Sequence, residues 1–149
     1  MMPGIGCGEG NAWFVNFVIH LVSLTRGRGE KTVEKKSNEA KVDYIELPGK
    51  DLVKTKAFYE QVFGWKFTDY GPDYTSFEDG RLAGGFSKER QVVSGGPLIV
   101  IYCQDLAATE RKVVKAEGRI SKATFSFPGG SRFHFTDPNG NELAVWSDK

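Results

Sequence analysis

VDYIELPGKDLVKTKAFYEQVFGW, residues Val42 to Trp65, decides the fold. Val42 to Pro48 alternates, with Ile45 and Leu47 on one face and Tyr44 and Glu46 on the other, which predicts a strand with a different environment on each side. Asp51 is a suitable N-cap, and Leu52, Tyr59, Val62 and Phe63 fall on one stripe of the helix that follows. Gly64 supplies a left-handed stop, and Trp65 begins a second extended segment.

The same grammar returns in LIVIYCQDLAATERKVVKAEGR, Leu98 to Arg119, which lies over the first stretch without a gap. Asp51-Leu52 falls on Asp105-Leu106, Tyr59 on Val113, and Gly64 on Gly118. A repeat of this kind predicts two copies of one supersecondary unit that share a buried face. The unit reads as strand, helix and three strands.

In the first unit the remaining strands are Trp65 to Tyr70, Tyr74 to Glu78 and Arg81 to Ser87, with Asp79-Gly80 predicted as a two-residue hairpin. In the second they are Ile120 to Phe127, Arg132 to Thr136 and Glu142 to Ser147. Asp137-Pro138-Asn139-Gly140 has the residue types of a type I turn in the expected order. Domain organisation is therefore a leader over residues 1–40 and one α+β domain over residues 41–149: module one 41–87, a polar linker 88–96 and module two 97–149.

A chain of 149 residues, 40% hydrophobic and 13% aromatic, has room for one packed core. Its net charge is +1, with both signs interspersed, so no basic surface suggests nucleic acid or anionic lipid as a partner. Cys7 and Cys103 make neither a disulfide framework nor a zinc motif, which predicts a cytoplasmic setting. The leader's apolar run, Ala12 to Leu24, falls short of the ~20 residues a spanning helix needs and is interrupted by Asn16 and His20. It also lacks the flanks of a secretory signal. Three readings fit the leader: a docking helix, a weak interfacial anchor backed by Arg26, Arg28 and Lys31, or sequence upstream of the natural start. The third is the expectation, because the domain grammar begins only at Lys41.

The paired units, the phrase DL…AFYEQVFGW (Asp51 to Trp65) and the phrase FTDPNGNELAVW (Phe135 to Trp146) resemble the vicinal oxygen chelate superfamily. That superfamily includes glyoxalase I, bleomycin-resistance proteins, extradiol dioxygenases and methylmalonyl-CoA epimerase. The resemblance implies a glyoxalase-like fold, two βαβββ modules whose curved mixed sheets form a half-barrel cup with helices outside, and a homodimer. It also implies a divalent metal or organic ligand in the cup. The family's metal positions fall here on Tyr44, on Gly84 or Gly85, on Leu98 and on Ala144, none of them an imidazole or carboxylate. The usual metal, and any other cofactor, is therefore expected to be absent.

Glu46 is the candidate base, on the face of the first strand assigned to the cup with Tyr44 beside it, where aromatic neighbours would desolvate it. The plain alternative is a carboxylate paired with an arginine such as Arg81. Trp65, Phe77, Arg81, Tyr102, Phe133, Phe135, Glu142 and Trp146 are the candidate ligand-binding residues. With Asp137 placed opposite Gly140, His134 falls opposite Leu143 and faces the helices, while Phe133 and Phe135 face the cup. The function this predicts is binding of a small organic molecule in an aromatic cup without the usual metal. The alternative is a metal-dependent lyase or isomerase resembling glyoxalase I, its metal held by Glu46, Glu142 and His134.

Overall fold

The computed structural model describes residues 40–149; the leader and its three readings lie outside the described residues. The chain divides at Tyr44–Ile45, and the repeat lies almost wholly in the second unit, Ile45–Lys149. Its elements follow the predicted order: β1 (Tyr44–Pro48), α1 (Leu52–Phe63), β2 (Lys66–Asp69), β3 (Tyr74–Glu78), β4 (Ala83–Ser87), β5 (Ile99–Tyr102), α2 (Leu106–Lys115), β6 (Arg119–Phe127), β7 (Gly130–Thr136) and β8 (Glu142–Ser147). They form two four-stranded sheets, ordered β1-β4-β3-β2 and β5-β8-β7-β6, so each module builds its own sheet in the same order. This is the two-module α+β architecture the repeat implied. Among the described residues no helix is long and apolar enough to cross a membrane.

The two helices start alike. Asp51 accepts the amide of Lys54 at 3.0 Å and Asp105 that of Ala108 at 2.8 Å, each satisfying a donor the first turn leaves free. One turn on, Thr55 and Thr109 return their hydroxyls to the carbonyls of those same aspartates. They stop differently. Gly64 takes the left-handed conformation at φ 75°, but in the second module Glu117 does so at φ 68°. Gly118 is small for another reason: a Cβ there would stand 2.8 Å from both Phe58 and Val113.

One core serves both modules. Phe58, on α1, has its ring centroid 5.0 Å from Tyr59 and 5.9 Å from Phe135 of β7, so the first helix packs on the second module's sheet. Trp65 stacks between Tyr59 at 4.6 Å and Phe77 at 4.3 Å. Trp65 and Phe77, expected to contact ligand, are thus core residues on the helix side of the first sheet.

The Asp137 turn joins the modules through polar contacts. Asn139 accepts the amides of Lys50 and Asp51 and donates to the Thr55 hydroxyl, and Asn141 donates to the Pro48 carbonyl at 2.8 Å. Buried Asp137 receives the Tyr59 hydroxyl at 3.1 Å, the Asn139 and Asn141 amides at 2.9 Å, and the Asn141 side chain at 2.9 Å. The FTDPNGNEL phrase is therefore a clasp onto the β1–α1 junction.

Burial first, and then the Asp137 carboxylate, hold the Tyr59 phenol well above its ordinary value of 10.0. A folded-state value above the unfolded one stabilises fully below pH 10 and is lost as pH rises through the folded value. The stability advantage of wild type over Tyr59→Phe should therefore shrink above pH 10, by at most about 1.4 kcal/mol per pH unit. Denaturant unfolding of both proteins at pH 8, 10 and 11 checks this; a constant difference would contradict it.

Two turns depart from expectation. At Asp79 the strands pair Glu78 with Ala83 and the Asp79 amide donates to the Leu82 carbonyl at 3.1 Å, so the two residues enclosed are Gly80 and Arg81 rather than Asp79 and Gly80, and the Asp79 carboxylate accepts the amides of Arg81 and Leu82. The Asp137 turn has the type I bond, Gly140 amide to Asp137 carbonyl at 2.9 Å, but Gly140 then adopts φ 92° and the closing partner of Asp137 is Asn141. One bulged residue follows the type I turn. Its insertion shifts the pairing by one and reverses the faces expected for β7.

Candidate functional site

Each sheet turns one face to α1 and α2; the residues that alternate with the core define the far face. On the first sheet Leu47, Phe77 and Phe86 belong to the core or pack on it, which puts Glu46, Ser76 and Gly85 on the far face, with Tyr44 in register with Glu46. Gly84 faces the helices, since a Cβ there would lie 2.2 Å from the Phe77 ring. Of the two glycines considered for the family's metal position, Gly85 is the one so oriented.

Glu46 is largely buried, its side chain 17% exposed, with Oε1 3.5 Å from Arg90 Nη1. Arg90, not Arg81, is its cationic partner. Arg81 is exposed in the β3–β4 loop. The second oxygen of Glu46, Oε2, is buried and has no hydrogen-bond partner among the described residues.

On the second sheet the register orders the far face into cross-strand rows. Tyr102, Trp146, Arg132 and Phe125 form one row across β5, β8, β7 and β6; Val100, Ala144, His134 and Lys122 form the next. Phe133 and Phe135 are fully buried opposite Val145 and Leu143 on the helix side. The expected assignment is thus corrected: His134 pairs with Ala144 on the far face, and the two phenylalanines are core.

Glu142 receives two neighbours on one oxygen. The Ser121 hydroxyl donates to Oε1 at 3.1 Å, and His134 Nδ1 lies 3.3 Å from the same atom, a diagonal contact between adjacent strands. His134 Nε2 is buried without a partner among the described residues, as is Arg132 Nε. Arg132 has its guanidinium 5.1 Å from the Phe125 ring centroid and 5.5 Å from that of Phe127, and the Lys122 ammonium sits 4.0 Å over Phe125. Trp146 meets Tyr102 edge-on at 5.3 Å, and the Tyr102 hydroxyl donates to Asp148 at 2.9 Å. Beside them Cys103 is half-buried, and burial raises its thiol above the ordinary 9.0, as befits an inert cysteine.

The second sheet therefore carries Glu142 and Trp146 on one face, as the alternation along the last strand predicted, sets the candidate Tyr102 beside Trp146, and adds Arg132, His134, Lys122, Phe125 and Phe127, which that reading passed over or turned inward. The available signal was the glycine at the end of DPNG, which marks a bulged loop as readily as a tight one.

A divalent metal does not fit these residues. Among the described residues no three of His, Cys, Asp and Glu come together to hold an ion, so Glu46, Glu142 and His134 do not form one donor set. At the family's own positions stand a phenol, a glycine and two aliphatic side chains.

The sequence pattern of the Glyoxalase/Bleomycin resistance protein/Dioxygenase superfamily matches residues 41–145. No curated protein matches the chain. Among solved structures, a family enzyme from Burkholderia phytofirmans PsJN superposes with a TM-score of 0.64 at 17% identity, covering 72% of this chain and 98% of that one. Lactoylglutathione lyase from Agrobacterium tumefaciens gives 0.57 at 19% identity, covering 72% and 93%. The fosfomycin resistance protein FosX from Mesorhizobium loti gives 0.60 at 14% identity, covering 73% and 92%. At these identities the likeness is one of fold.

Proposed function

Since this chain belongs to the glyoxalase/bleomycin resistance protein/dioxygenase superfamily, we propose that it binds a small organic molecule on the far faces of its sheets, at a centre that does not use the family's divalent metal. One observation supports this above others: the three buried side-chain nitrogen or oxygen atoms left without a partner among the described residues are Glu46 Oε2, Arg132 Nε and His134 Nε2, and all three belong to far-face residues. Buried polar atoms are almost always paired, so three unpaired ones that all lie on far-face residues suit a ligand that supplies the missing partners.

Tyr102, Trp146, Phe125 and Phe127 give that surface aromatic area for a planar or apolar body. Glu46 on one sheet, and Arg132 and His134 on the other, then orient its polar groups. Homodimerisation and a cytoplasmic setting belong to the same reading.

The test is a thermal-shift titration with zinc, nickel, manganese and magnesium, together with metal analysis of the purified protein. A metal-free ligand site gives no stoichiometric metal and no rise in midpoint. A specific rise, as binding to the native state demands, would restore the metal-dependent lyase or isomerase.

A further inference from the structure

We propose that the cleft at the β5–α2 junction, on the helix side of the second sheet, binds a small molecule through a primary carboxamide. This site is separate from the far-face surface. Module one already makes the corresponding contact within the chain, with the side chain of Asn139.

In module one the donors of the junction are taken. The Asn139 carboxamide oxygen accepts the Lys50 amide at 3.0 Å and the Asp51 amide at 3.3 Å, and its nitrogen donates to the Thr55 hydroxyl at 2.8 Å. The repeat sets Gln104, Asp105 and Thr109 at these three positions. Their local geometry repeats as well. Asp105 accepts the Ala108 amide at 2.8 Å, and the Thr109 hydroxyl donates to the Asp105 carbonyl at 2.8 Å, as Thr55 does to Asp51 at 2.6 Å. Only the carboxamide differs. The β3–β4 loop, the counterpart of the Asp137 turn, carries Gly80 and Arg81 at its tip, and among the described residues nothing accepts the Gln104 and Asp105 amides.

Gln104 and Asp105 instead line an open cleft of about 570 Å³, together with Leu106 at the start of α2, Thr124 of β6, Ser131 of β7 and the terminal Lys149. Ser131 alternates with Phe133 and Phe135, which puts the cleft on the helix side. A volume of this size holds a small organic ligand. Leu106 offers it an apolar wall, and the Thr124 and Ser131 hydroxyls offer it polar ones.

The donor set selects a carboxamide over a carboxylate. One ligand oxygen can take the two adjacent amides, as the Asn139 oxygen does in module one. The Thr109 proton is committed to the Asp105 carbonyl, so this hydroxyl presents lone pairs to the ligand's second atom. An NH2 group meets them with a hydrogen. A carboxylate oxygen meets them with another lone pair, and with the Asp105 carboxylate close by. The Cys103 thiol, where module one has Gly49, lies beside the same hydroxyl. A hydroxyl oxygen has two acceptor pairs, enough for both.

The experiment titrates the full 15N-labelled chain with benzamide, and with benzoate and N,N-dimethylbenzamide as isosteres that lack the N–H donors. Benzamide should shift the Gln104 and Asp105 amide resonances saturably, with Kd below about 10 mM, and leave those of Lys50 and Asp51, held by Asn139, in place. Both isosteres should bind at least about tenfold more weakly. Thr109→Val, which removes the acceptor, and Thr124→Trp, which fills the cleft from an exposed strand position, should each weaken benzamide at least about fivefold while native circular dichroism persists. An isostere that binds as tightly as benzamide, or binding unchanged in both variants, would overturn the proposal. No shift at Gln104 and Asp105 would also overturn it, and shifts confined to far-face residues would do so while leaving the far-face reading intact.

Discussion

Asp137→Ala should cost roughly 3–5 kcal/mol, the scale of breaking a buried polar network, and lower the melting midpoint by about 15 °C or more. Asp137 is 4% exposed and accepts from Tyr59, from two backbone amides and from the Asn141 side chain. Alanine leaves these donors without a partner where water has little access, and each orphaned donor costs about 1–3 kcal/mol, though the costs do not simply add. The effect reaches beyond the turn. Asn139 and Asn141, both held by Asp137, bond the Lys50 and Asp51 amides, Thr55 and the Pro48 carbonyl, so the contact between modules loosens with the turn. Asp137→Asn should lose less, because one oxygen remains for the two backbone amides. Thermal and urea unfolding of the three proteins checks the order; an alanine variant within about 1 kcal/mol of wild type would show that the clasp is held otherwise.

Phe135→Ala should be the other severe variant, losing about 3–5 kcal/mol as a fully buried phenylalanine does when truncated. Its ring centroid lies 5.9 Å from Phe58, 6.0 Å from Phe63 and 6.2 Å from Phe133, joining α1 to the second sheet. His134→Ala, one position away, should stay within about 1 kcal/mol, since it meets the Glu142 carboxylate and the Phe125 ring, tilted with its centroid 5.9 Å away. The pair reports the register of β7 directly. If His134 faced the helices, the two effects would be exchanged.

The candidate site divides along the same line. Glu46 and Tyr44 on β1, and Glu142 and Trp146 on β8, were placed on one face by alternation within a strand, a property each short segment carries by itself. The face of Tyr102 on β5 was set only by its pairing with Trp146. His134 and Arg132 were not so legible. Their face depends on how β7 pairs with β8, and that depends on the single bulged residue Gly140. The partner of Glu46 was out of reach for a related reason: Arg81 and Arg90 both follow it in sequence, and only the loop after β4 brings Arg90 to 3.5 Å.

The sequence by itself determined the element order, the two-module repeat, the aspartate caps of both helices and the absence of donors at the family's metal positions. Each of these is written in local periodicity, in a capping residue or in one residue type at one place. The tertiary structure alone decided that Trp65, Phe77, Phe133 and Phe135 fill one core shared by both modules. It also decided that the DPNGN phrase clasps the first helix, and that Arg132 and His134 share the far face with Glu142 and Trp146. These are long-range facts. A side chain's burial depends on what the other module brings against it, and a strand's register on the geometry of the turn before it.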